Sequence, residues 1–306
     1  MAPGGFRFGV SGQRASRVEW EELARKAEDL GYSTLLLPDH FGRQMSPLPA
    51  LQAAAHATQR LRVGTIVLDN DFRHPAMLAK DVATMNVLTD GRVELGIGAG
   101  WMEVDYRKSG LPFDPPAVRV ARLEEAVQII RRLFDGGPVT FRGQYYEVEN
   151  LEGYPKPTEK IPLLIAGSRK RMLRLAASYA DIVGIEDHQF AERATGSAEV
   201  HPAVAGEQVK IVREAAGERY PDLELNVFAA RVEVTDRPEE ATEAMAAQLQ
   251  TTPQAIQASA SFLIGSVDGI VETLQRRREE WHLSYIMVFD RVMDVFAPVV
   301  ARLGGT

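Results

Sequence analysis

Residues 89–103, with the sequence TDGRVELGIGAGWME, contain the pattern that decides the fold. Apolar side chains occupy every second position of 93–97, and this alternation predicts a β-strand. Glycines follow at the strand's end and just beyond it, at Gly98 and Gly100, where a backbone without side chains lets a flat group approach closely. We therefore interpret this stretch, together with Trp101, as a strand that ends at the floor of a ligand site.

These glycines have two other interpretations. A dinucleotide-binding loop carries the spacing G-x-G-x-x-G, whereas residues 96–100 carry G-x-G-x-G, and the residues that follow do not resemble the opening of a crossover helix. Alternatively, the glycines serve only to let neighbouring strands pack closely inside a narrow barrel. The sequence leaves this packing alternative open.

The composition limits the class of protein. The chain has 306 residues, which suits either two ordinary domains or one large α/β barrel. A net charge of -7 argues against a general nucleic-acid-binding protein, because no basic excess exists to neutralise phosphates. Cysteine is absent from the sequence, and we find neither a signal-peptide pattern nor an apolar run long enough for a membrane span. We expect a cytoplasmic protein that binds neither nucleic acid nor membranes.

The order of predicted elements indicates the fold class. Apolar strands and amphipathic helices alternate along the chain, which is typical of parallel βαβ units. We predict strands at 6–10, 34–37, 61–68, 93–97, 162–167, 181–185, 223–234 and 285–289. We predict helices at 17–30, 48–59, 75–88, 116–134, 169–179, 208–220, 238–250, 267–281 and 292–303. Such a series in a chain of this length favours a (β/α)8 TIM barrel, with residues 1–306 as a single domain.

Two segments interrupt this alternation. Residues 139–148 predict a β-hairpin that turns at Arg142-Gly143, and we interpret it as an insertion. Residues 187–206 have weak periodicity and several turn-forming residues, which favours a lid beside the site. The arginines at 276–278 are followed by two glutamates, so we expect them to lie on a solvated helix face.

The carboxyl ends of the predicted strands select the candidate site residues, because (β/α)8 barrels carry their active sites at that end. They are Asp39, His40, Ile66, Val67, Asn70, Gly98, Gly100, Trp101, Gly167, Ser168, Asp187 and His188.

The residue types at these positions favour a bound cofactor. The six histidines lie on different predicted elements without the spacing of metal ligands, so we expect no metal. No G-x-S-x-G motif supports a serine nucleophile, and the chain has no cysteine. A histidine, glycine-lined backbone and aromatic side chains carry little demanding chemistry by themselves, which indicates that a cofactor supplies it.

Basic residues at the start of a predicted helix favour an anion site. Arg169, Lys170 and Arg171 follow Gly167 and Ser168 at a helix end whose dipole and free N–H groups favour negative charge. A bound phosphate would offset this crowding of positive charge. The alternative is a solvated basic patch without a ligand.

His40 and Trp101 each have a functional and a structural interpretation. His40 is a candidate proton donor or acceptor near neutral pH, or a histidine that only forms hydrogen bonds within the barrel mouth. Trp101 is a candidate platform for a cofactor ring, or a core residue. Asp187 and His188 are weaker candidates because they begin the predicted lid.

Four blocks of the sequence carry a family resemblance. They are 36–41 (LLPDHF), 63–68 (VGTIVL) with 72–75 (FRHP), 88–101 (LTDGRVELGIGAGW), and 165–168 (IAGS) with 173–177 (LRLAA). With these blocks the chain resembles the bacterial-luciferase-like oxidoreductases, in the branch that uses the deazaflavin coenzyme F420. Residues 139–148 are similar to the hairpin of that family.

The resemblance implies a (β/α)8 barrel that holds a flavin-type ring in its mouth, and a homodimer. It implies a non-proline cis peptide at Ile66-Val67, which would bulge against the ring. It implies that His40 is the catalytic residue, beside the reactive edge of the ring. The implied cofactor-binding residues are Asp39, His40, Ile66, Val67, Gly98, Gly100, Trp101, Gly167, Ser168, Arg169, Lys170 and Arg171.

The resemblance leads to three hypotheses for function. The first is hydride transfer between F420 and an unidentified small organic substrate. Family members that oxidise sugar phosphates or alcohols carry an acidic residue where this chain has Trp101, and this difference disfavours an alcohol dehydrogenase. The second is an FMN-dependent monooxygenase that uses molecular oxygen. The third is a cofactor-binding protein without turnover.

Overall fold

The computed structural model describes residues 5–186 and 205–305. Its strands are β1 (Arg7–Ser11), β2 (Thr34–Leu37), β3 (Arg62–Thr65), β4 (Leu68–Asp69), β5 (Val93–Gly98), β6 (Pro138–Arg142), β7 (Glu147–Glu152), β8 (Leu163–Gly167), β9 (Ile182–Ile185), β10 (Glu224–Phe228), β11 (Arg231–Val234), β12 (Phe262–Gly265) and β13 (Leu283–Phe289).

The α-helices of the described residues alternate with these strands. They are α1 (Arg17–Asp29), α2 (Pro47–His56), α3 (Pro75–Leu88), α4 (Glu103–Ser109), α5 (Pro116–Asp135), α6 (Lys170–Tyr179), α7 (Ala205–Ala216), α8 (Pro238–Gln248), α9 (Pro253–Ala258), α10 (Val267–Trp281) and α11 (Met293–Leu303). The predicted helices at 75–88 and 267–281 have the bounds of α3 and α10.

Contacts group the described residues into two compact units. The first unit comprises residues 13–25 and 35–166. The second unit comprises the described parts of 1–12, 26–34 and 167–306. The assignment of the whole chain to a single domain stays a prediction.

In the first unit, β5 lies at the centre of a parallel sheet. It pairs with β3, with Val93 opposite Val63, and with β4, with Ile97 opposite Leu68. Its other partner is β8. Every residue of β5 is buried, as expected for a parallel strand that is covered on both faces.

The predicted strand at 61–68 is interrupted in its middle. The peptide bond between Ile66 and Val67 is cis, where the family resemblance places it. The Ile66 N–H donates a hydrogen bond to the Leu37 carbonyl oxygen at 3.1 Å. Strand three therefore consists of two short segments, β3 and β4, on either side of this bond.

The glycines of β5 are required by packing against that interrupted strand. A Cβ on Gly96 would lie 2.0 Å from the Thr65 carbonyl oxygen, and one on Gly98 would lie 2.7 Å from Val67 Cγ2. The Thr65 hydroxyl also exchanges hydrogen bonds with the Gly96 backbone, donating to its oxygen at 2.7 Å and accepting from its N–H at 2.9 Å. The packing alternative therefore accounts for both of these glycines.

The predicted hairpin is present as the antiparallel pair β6 and β7. The Gly143 N–H donates to the Tyr146 carbonyl oxygen at 3.0 Å, so the turn lies slightly later than predicted. The carboxylate of Glu125, on α5, accepts hydrogen bonds from the backbone N–H groups of residues 144–146 at 2.7 to 3.1 Å. One half-buried carboxylate thus fixes the tip of the hairpin.

In the second unit, β13 pairs in parallel with β1 and with β10, and β10 pairs with β9. The prediction of one long strand over 223–234 is wrong. The chain leaves the sheet after Phe228, because the Ala230 N–H bonds back to the Phe228 carbonyl at 2.9 Å. Residues from Arg231 onward form a separate parallel pair with β12, a strand that the sequence analysis missed.

The prediction for the arginine triplet is wrong at its central residue. Arg277 is only 4% exposed and donates to the carbonyl oxygens of Ser259 at 2.8 Å and Ala260 at 3.1 Å. Its guanidinium carbon also lies 5.8 Å from the centre of the Trp281 ring. Burial lowers the pKa of Arg277 to about 10, and the neighbouring Arg276 adds to this.

Two short helices lie outside the predicted elements. Both α4 and α9 have fewer than eight residues, and the sequence pattern predicts neither of them. The predicted lid over 187–206, with Asp187 and His188, lies almost entirely outside the described residues. Among the described helices, none combines the length and the apolar character that crossing a membrane requires.

Candidate functional site

Asp39 follows β2 and is buried in the first unit. Its carboxylate forms an ion pair with Arg73, with Arg73 Nη2 at 3.1 Å from Oδ1 and Nη1 donating to Oδ2. Oδ2 also accepts from the Asp69 N–H at 3.2 Å. Asp39 therefore joins the end of β2 to the end of β4 and fixes the position of the residue that follows it.

That residue, His40, is held by a second carboxylate. His40 Nδ1 lies 2.8 Å from Oδ2 of Asp105, a buried residue of α4. The other oxygen of Asp105 accepts from the Phe41 N–H at 3.3 Å. The Trp101 ring meets the His40 ring edge-to-face, with 5.7 Å between the ring centres and an interplanar angle of 89°. The imidazole orientation is thus fixed by a hydrogen bond and by an aromatic contact.

A buried hydrogen-bond network lies beside this pair. The Tyr106 hydroxyl donates to Asp69 Oδ1 at 2.8 Å and is 3.2 Å from Asp71 Oδ2, which in turn pairs with Arg122 Nη1 at 2.9 Å. Asp69 Oδ1 also accepts from the Asp71 N–H at 3.0 Å. These contacts tie α4 and α5 to the end of β4.

Burial changes the titration of this network. It raises the pKa of Asp69 to about 6, and the carboxylates of Asp71 and Asp39 add to the rise. Hydrogen bonds from the Asp71 N–H and the Tyr106 hydroxyl act in the opposite direction. Burial and the adjacent Asp69 raise the pKa of Tyr106 well above its ordinary value, so the phenol remains a hydrogen-bond donor at neutral pH.

Gly100 is fixed by the same network. Its φ of +73° lies in the left-handed region, and a Cβ would lie 2.0 Å from the Tyr106 hydroxyl and 2.3 Å from Asp69 Oδ2. A cofactor ring that contacts Gly98 and Gly100 as predicted would therefore meet only their backbone atoms. It would lie on the side of the backbone that faces away from these packed side chains.

Apolar side chains with partial exposure surround these glycines. Ile66 and Val67 are half-buried, and Trp101 is 39% exposed. Packing in the core alone therefore does not account for Trp101, which is more than one third exposed while it contacts His40.

His40 lies on the wall of a cleft of about 260 Å³ in the first unit. The cleft is lined by Gln13, His40, Phe41, Gly42, Arg43, Gln44, Met102, Val104, Asp105 and Lys108. Apolar side chains and cations share this lining, and Phe41 is 56% exposed. The cleft is large enough to admit a small organic molecule beside the imidazole.

The residues of the predicted anion site lie in the second unit. Gly167 ends β8, and a Cβ there would lie 2.7 Å from Met172 Cβ. The Ser168 carbonyl accepts from Gln208 Nε2 at 3.2 Å, so its backbone is anchored. Arg169, Lys170 and Arg171 are exposed at the start of α6, whose first turn has no acidic residue and no side-chain cap.

Within the described ranges, no group of three or more histidine and carboxylate side chains is arranged to hold a metal ion. Asp39, Asp71 and Asp105 are instead engaged in the ion pairs and hydrogen bonds given above, whereas the cations Arg43 and Lys108 line the cleft.

Sequence reasoning missed the partners of the candidate residues. Asp105 and Tyr106 lie on a seven-residue helix, too short for a periodic signal, and Arg73 and Asp69 lie in connections between predicted elements. Only the predicted order of the strands indicated that the chain segments following neighbouring strands lie close together.

Parallel strands alternating with helices, and candidate residues at the carboxyl ends of those strands, are the features of the (β/α)8 class. The chain belongs to the luciferase-like monooxygenase family, whose model matches residues 5–285.

Curated relatives match part of the chain. An F420-dependent glucose-6-phosphate dehydrogenase of Nakamurella multipartita is 34% identical over 191 residues, which is 59% of this chain and 56% of that protein. One from Microbacterium testaceum is 34% identical over 184 residues, 58% of this chain and 54% of that protein. The chain thus spans about half the length of these relatives.

Solved structures match nearly the whole chain. A coenzyme F420-dependent tetrahydromethanopterin reductase from Methanopyrus kandleri aligns with a TM-score of 0.76 at 16% identity, over 98% of this chain and 99% of that one. An F420-dependent secondary alcohol dehydrogenase in complex with an F420-acetone adduct aligns with a TM-score of 0.74 at 19% identity, over 97% and 98%. At such identities the likeness shows the fold alone, and with the family match it confirms the predicted luciferase-like (β/α)8 barrel.

Proposed function

We propose that this protein is an F420-dependent oxidoreductase that transfers a hydride between the deazaflavin and a small organic substrate. The family match and the F420-dependent relatives support this proposal. The single observation that carries it is the placement of His40, fixed by Asp105 and Trp101, on the wall of a cleft.

The residues around His40 suit a flat redox ring. Ile66, Val67 and Trp101 present partly exposed apolar surface, and the His40 imidazole contacts the Trp101 ring. A deazaflavin, when bound, supplies or accepts the hydride, which no side chain of this chain can do. We propose these residues, with Asp39, His40, Gly98 and Gly100, as the ring-binding set.

The basic start of α6 is proposed to hold the phosphate of the cofactor. Backbone N–H groups at the first turn of a ten-residue helix favour an anion, and no carboxylate of that turn competes. Gly167, Ser168, Arg169, Lys170 and Arg171 remain predicted contacts. The acidic tail of F420 gives the exposed cations a further reason to bind this coenzyme.

The side chains of the first unit have distinct proposed roles. Trp101 and Val67 exclude water from the apolar wall, Asp39 fixes the strand end through Arg73, and His40 holds or moves a proton at Nε2. The cleft beside His40 is proposed to take the substrate.

The alternative is an FMN-dependent monooxygenase, which the name of the matching family favours. Titration of the purified protein with F420 and with FMN, followed by fluorescence, separates the two. We expect F420 to bind at least tenfold more tightly. Tighter binding of FMN, with oxygen consumption on reduction, would support the alternative. F420 that binds but is neither reduced nor oxidised with any member of a substrate panel would indicate a binding protein without turnover.

A charge-reversal pair tests the phosphate contacts. Arg169→Glu with Arg171→Glu is expected to weaken F420 binding by roughly tenfold or more, since each charge-assisted contact contributes about 1 kcal/mol. Lys210→Glu with Arg237→Glu is the matched control, because these side chains are each 76% exposed and change the net charge equally. Equal losses in both double variants would show only a general effect of charge.

The predicted homodimer stays a proposal. Sedimentation equilibrium of the purified protein would give twice the chain mass of 33.8 kDa if it is correct.

A further inference from the structure

A buried carboxylate lies directly behind the candidate catalytic histidine. The Asp105 side chain is 7% exposed, whereas that of His40 is 26% exposed, and the two meet at 2.8 Å between Oδ2 and Nδ1. The residues are 65 positions apart in the chain, so the contact depends on the fold and not on local sequence. The Nδ1 nitrogen of the imidazole is therefore engaged by Asp105, and Nε2 is the ring nitrogen that this contact leaves available.

Both oxygens of Asp105 have defined partners. Oδ2 faces His40, and Oδ1 accepts from the Phe41 N–H at 3.3 Å. An ionised carboxylate only accepts hydrogen bonds, so the imidazole must donate from Nδ1. A histidine that donates from Nδ1 presents Nε2 as an acceptor when it is neutral.

We propose that Asp105 is a positioning residue that keeps the proton of His40 on Nδ1 and leaves Nε2 free to accept a proton from the substrate. When that proton moves, its bond to the substrate breaks, a bond to Nε2 forms, and the carboxylate of Asp105 faces the resulting imidazolium. This inference rests on the proposed function for its catalytic meaning, but the tautomer is a property of the protein alone.

A structural role for Asp105 is the competing explanation. Glu103 and Asp105 both lie in the first turn of α4, where acidic side chains stabilise a helix. Glu103 is exposed and has the same charge, so it provides a matched control on the same helix.

The substitution Asp105→Asn separates the two explanations. The Phe41 N–H requires an acceptor, so the amide oxygen of the new side chain should stay on that side and its NH2 group should face His40. An NH2 group donates, so Nδ1 must become the acceptor and the proton must move to Nε2. The substitution should therefore reverse the tautomer without removing the hydrogen bond.

The decisive measurement is long-range ¹H–¹⁵N NMR of the full-length protein labelled at histidine, in alkaline buffer where imidazoles are neutral. His40→Gln identifies the signals of His40 among those of the six histidines. We expect Nδ1–H in the wild type and in Glu103→Gln, and Nε2–H in Asp105→Asn. A wild-type Nε2–H tautomer, or the same tautomer in the wild type and Asp105→Asn, would overturn the proposal, and the wild-type result suffices if the variant does not fold.

A kinetic measurement follows once a substrate is found with F420. Asp105→Asn should lower kcat by roughly 10²- to 10⁴-fold with a much smaller change in KM, as expected when a general base has the wrong tautomer. In a His40→Gln background the same substitution should have no further effect. A parallel fall in the two backgrounds would contradict a role through His40, whereas failure of F420 to bind would refute the proposed function and leave the NMR result intact.

Discussion

Substituting Gly100 by alanine tests the link between the glycine-rich stretch and the buried network. The residue has a φ of +73°, and a Cβ would lie 2.0 Å from the Tyr106 hydroxyl and 2.3 Å from Asp69 Oδ2. The Tyr106 hydroxyl donates a hydrogen bond of 2.8 Å to the other oxygen of the same carboxylate, Asp69 Oδ1. Because real Cβ atoms do not approach so closely, the phenol and the carboxylate must separate, or the loop must move.

The expected cost has two parts. An alanine in the left-handed region costs about 1–2 kcal/mol by itself. Separating a buried hydroxyl from a buried carboxyl costs a further 1–3 kcal/mol, roughly, because neither finds water. The variant should therefore lose about 2–5 kcal/mol of unfolding free energy.

Gly110 is the matched control for this substitution. It has a φ of +77°, and nothing lies within 4 Å of the position of its Cβ. Gly110→Ala should therefore lose only the first part, about 1–2 kcal/mol. Urea unfolding followed by circular dichroism measures both variants. Equal losses in the two would refute the reasoning, because they would show that the contact with the Tyr106–Asp69 pair contributes nothing.

Three further substitutions have defined expectations. Burial raises the pKa of Asp69 from 3.8 to about 6, so the folded state binds more protons than the unfolded state between these pH values. The wild type therefore loses up to about 3 kcal/mol of unfolding free energy as the pH rises through that window. In urea unfolding, Asp69→Asn should gain stability relative to the wild type over the same window, and a difference that does not change with pH would contradict this. Asn86→Ala removes the acceptor of the Thr158 N–H at 2.9 Å and of its hydroxyl at 3.1 Å, so it should cost about 1–3 kcal/mol, which thermal unfolding would detect as a lower midpoint. Gly98→Ala places a Cβ 2.7 Å from Val67 Cγ2, so its cost should fall when Val67→Ala is added, and additive losses in this double-mutant cycle would show that the two residues do not couple.

The regular part of the fold was accessible from the sequence because its signals are periodic. The helices at 75–88 and 267–281 were predicted at their observed bounds, and the strand at 93–97 falls within β5. The hairpin was predicted within a few residues, since a glycine between two alternating runs is a local signal. Such features depend only on residues close together in the chain.

The errors have non-local causes. The break after Phe228 leaves no mark in an alternating pattern, because Arg231 resumes the alternation against a different partner strand. The charged neighbours of Arg277 in the sequence predict that it is solvated. Its guanidinium instead donates hydrogen bonds to carbonyl oxygens of another segment. Asp105 was missed for the same reason, since its partner lies 65 residues away.

The glycines of 96–100 have a packing role that the sequence pattern alone does not reveal. The sequence analysis placed a ligand site here because bare backbone admits a flat ring, yet Thr65, Val67 and the Tyr106–Asp69 pair occupy the space that side chains would fill. The effect of the glycines is therefore indirect. Gly98 lets Val67 pack against β5 while Val67 stays half-exposed, and Gly100 lets Tyr106 of α4 bind Asp69 at the end of β4. Because α4 also carries Asp105, the same missing side chains determine where the carboxylate meets His40. A larger residue at position 100 would thus disturb the proposed Asp105–His40 pair through α4, even though position 100 lies outside that pair.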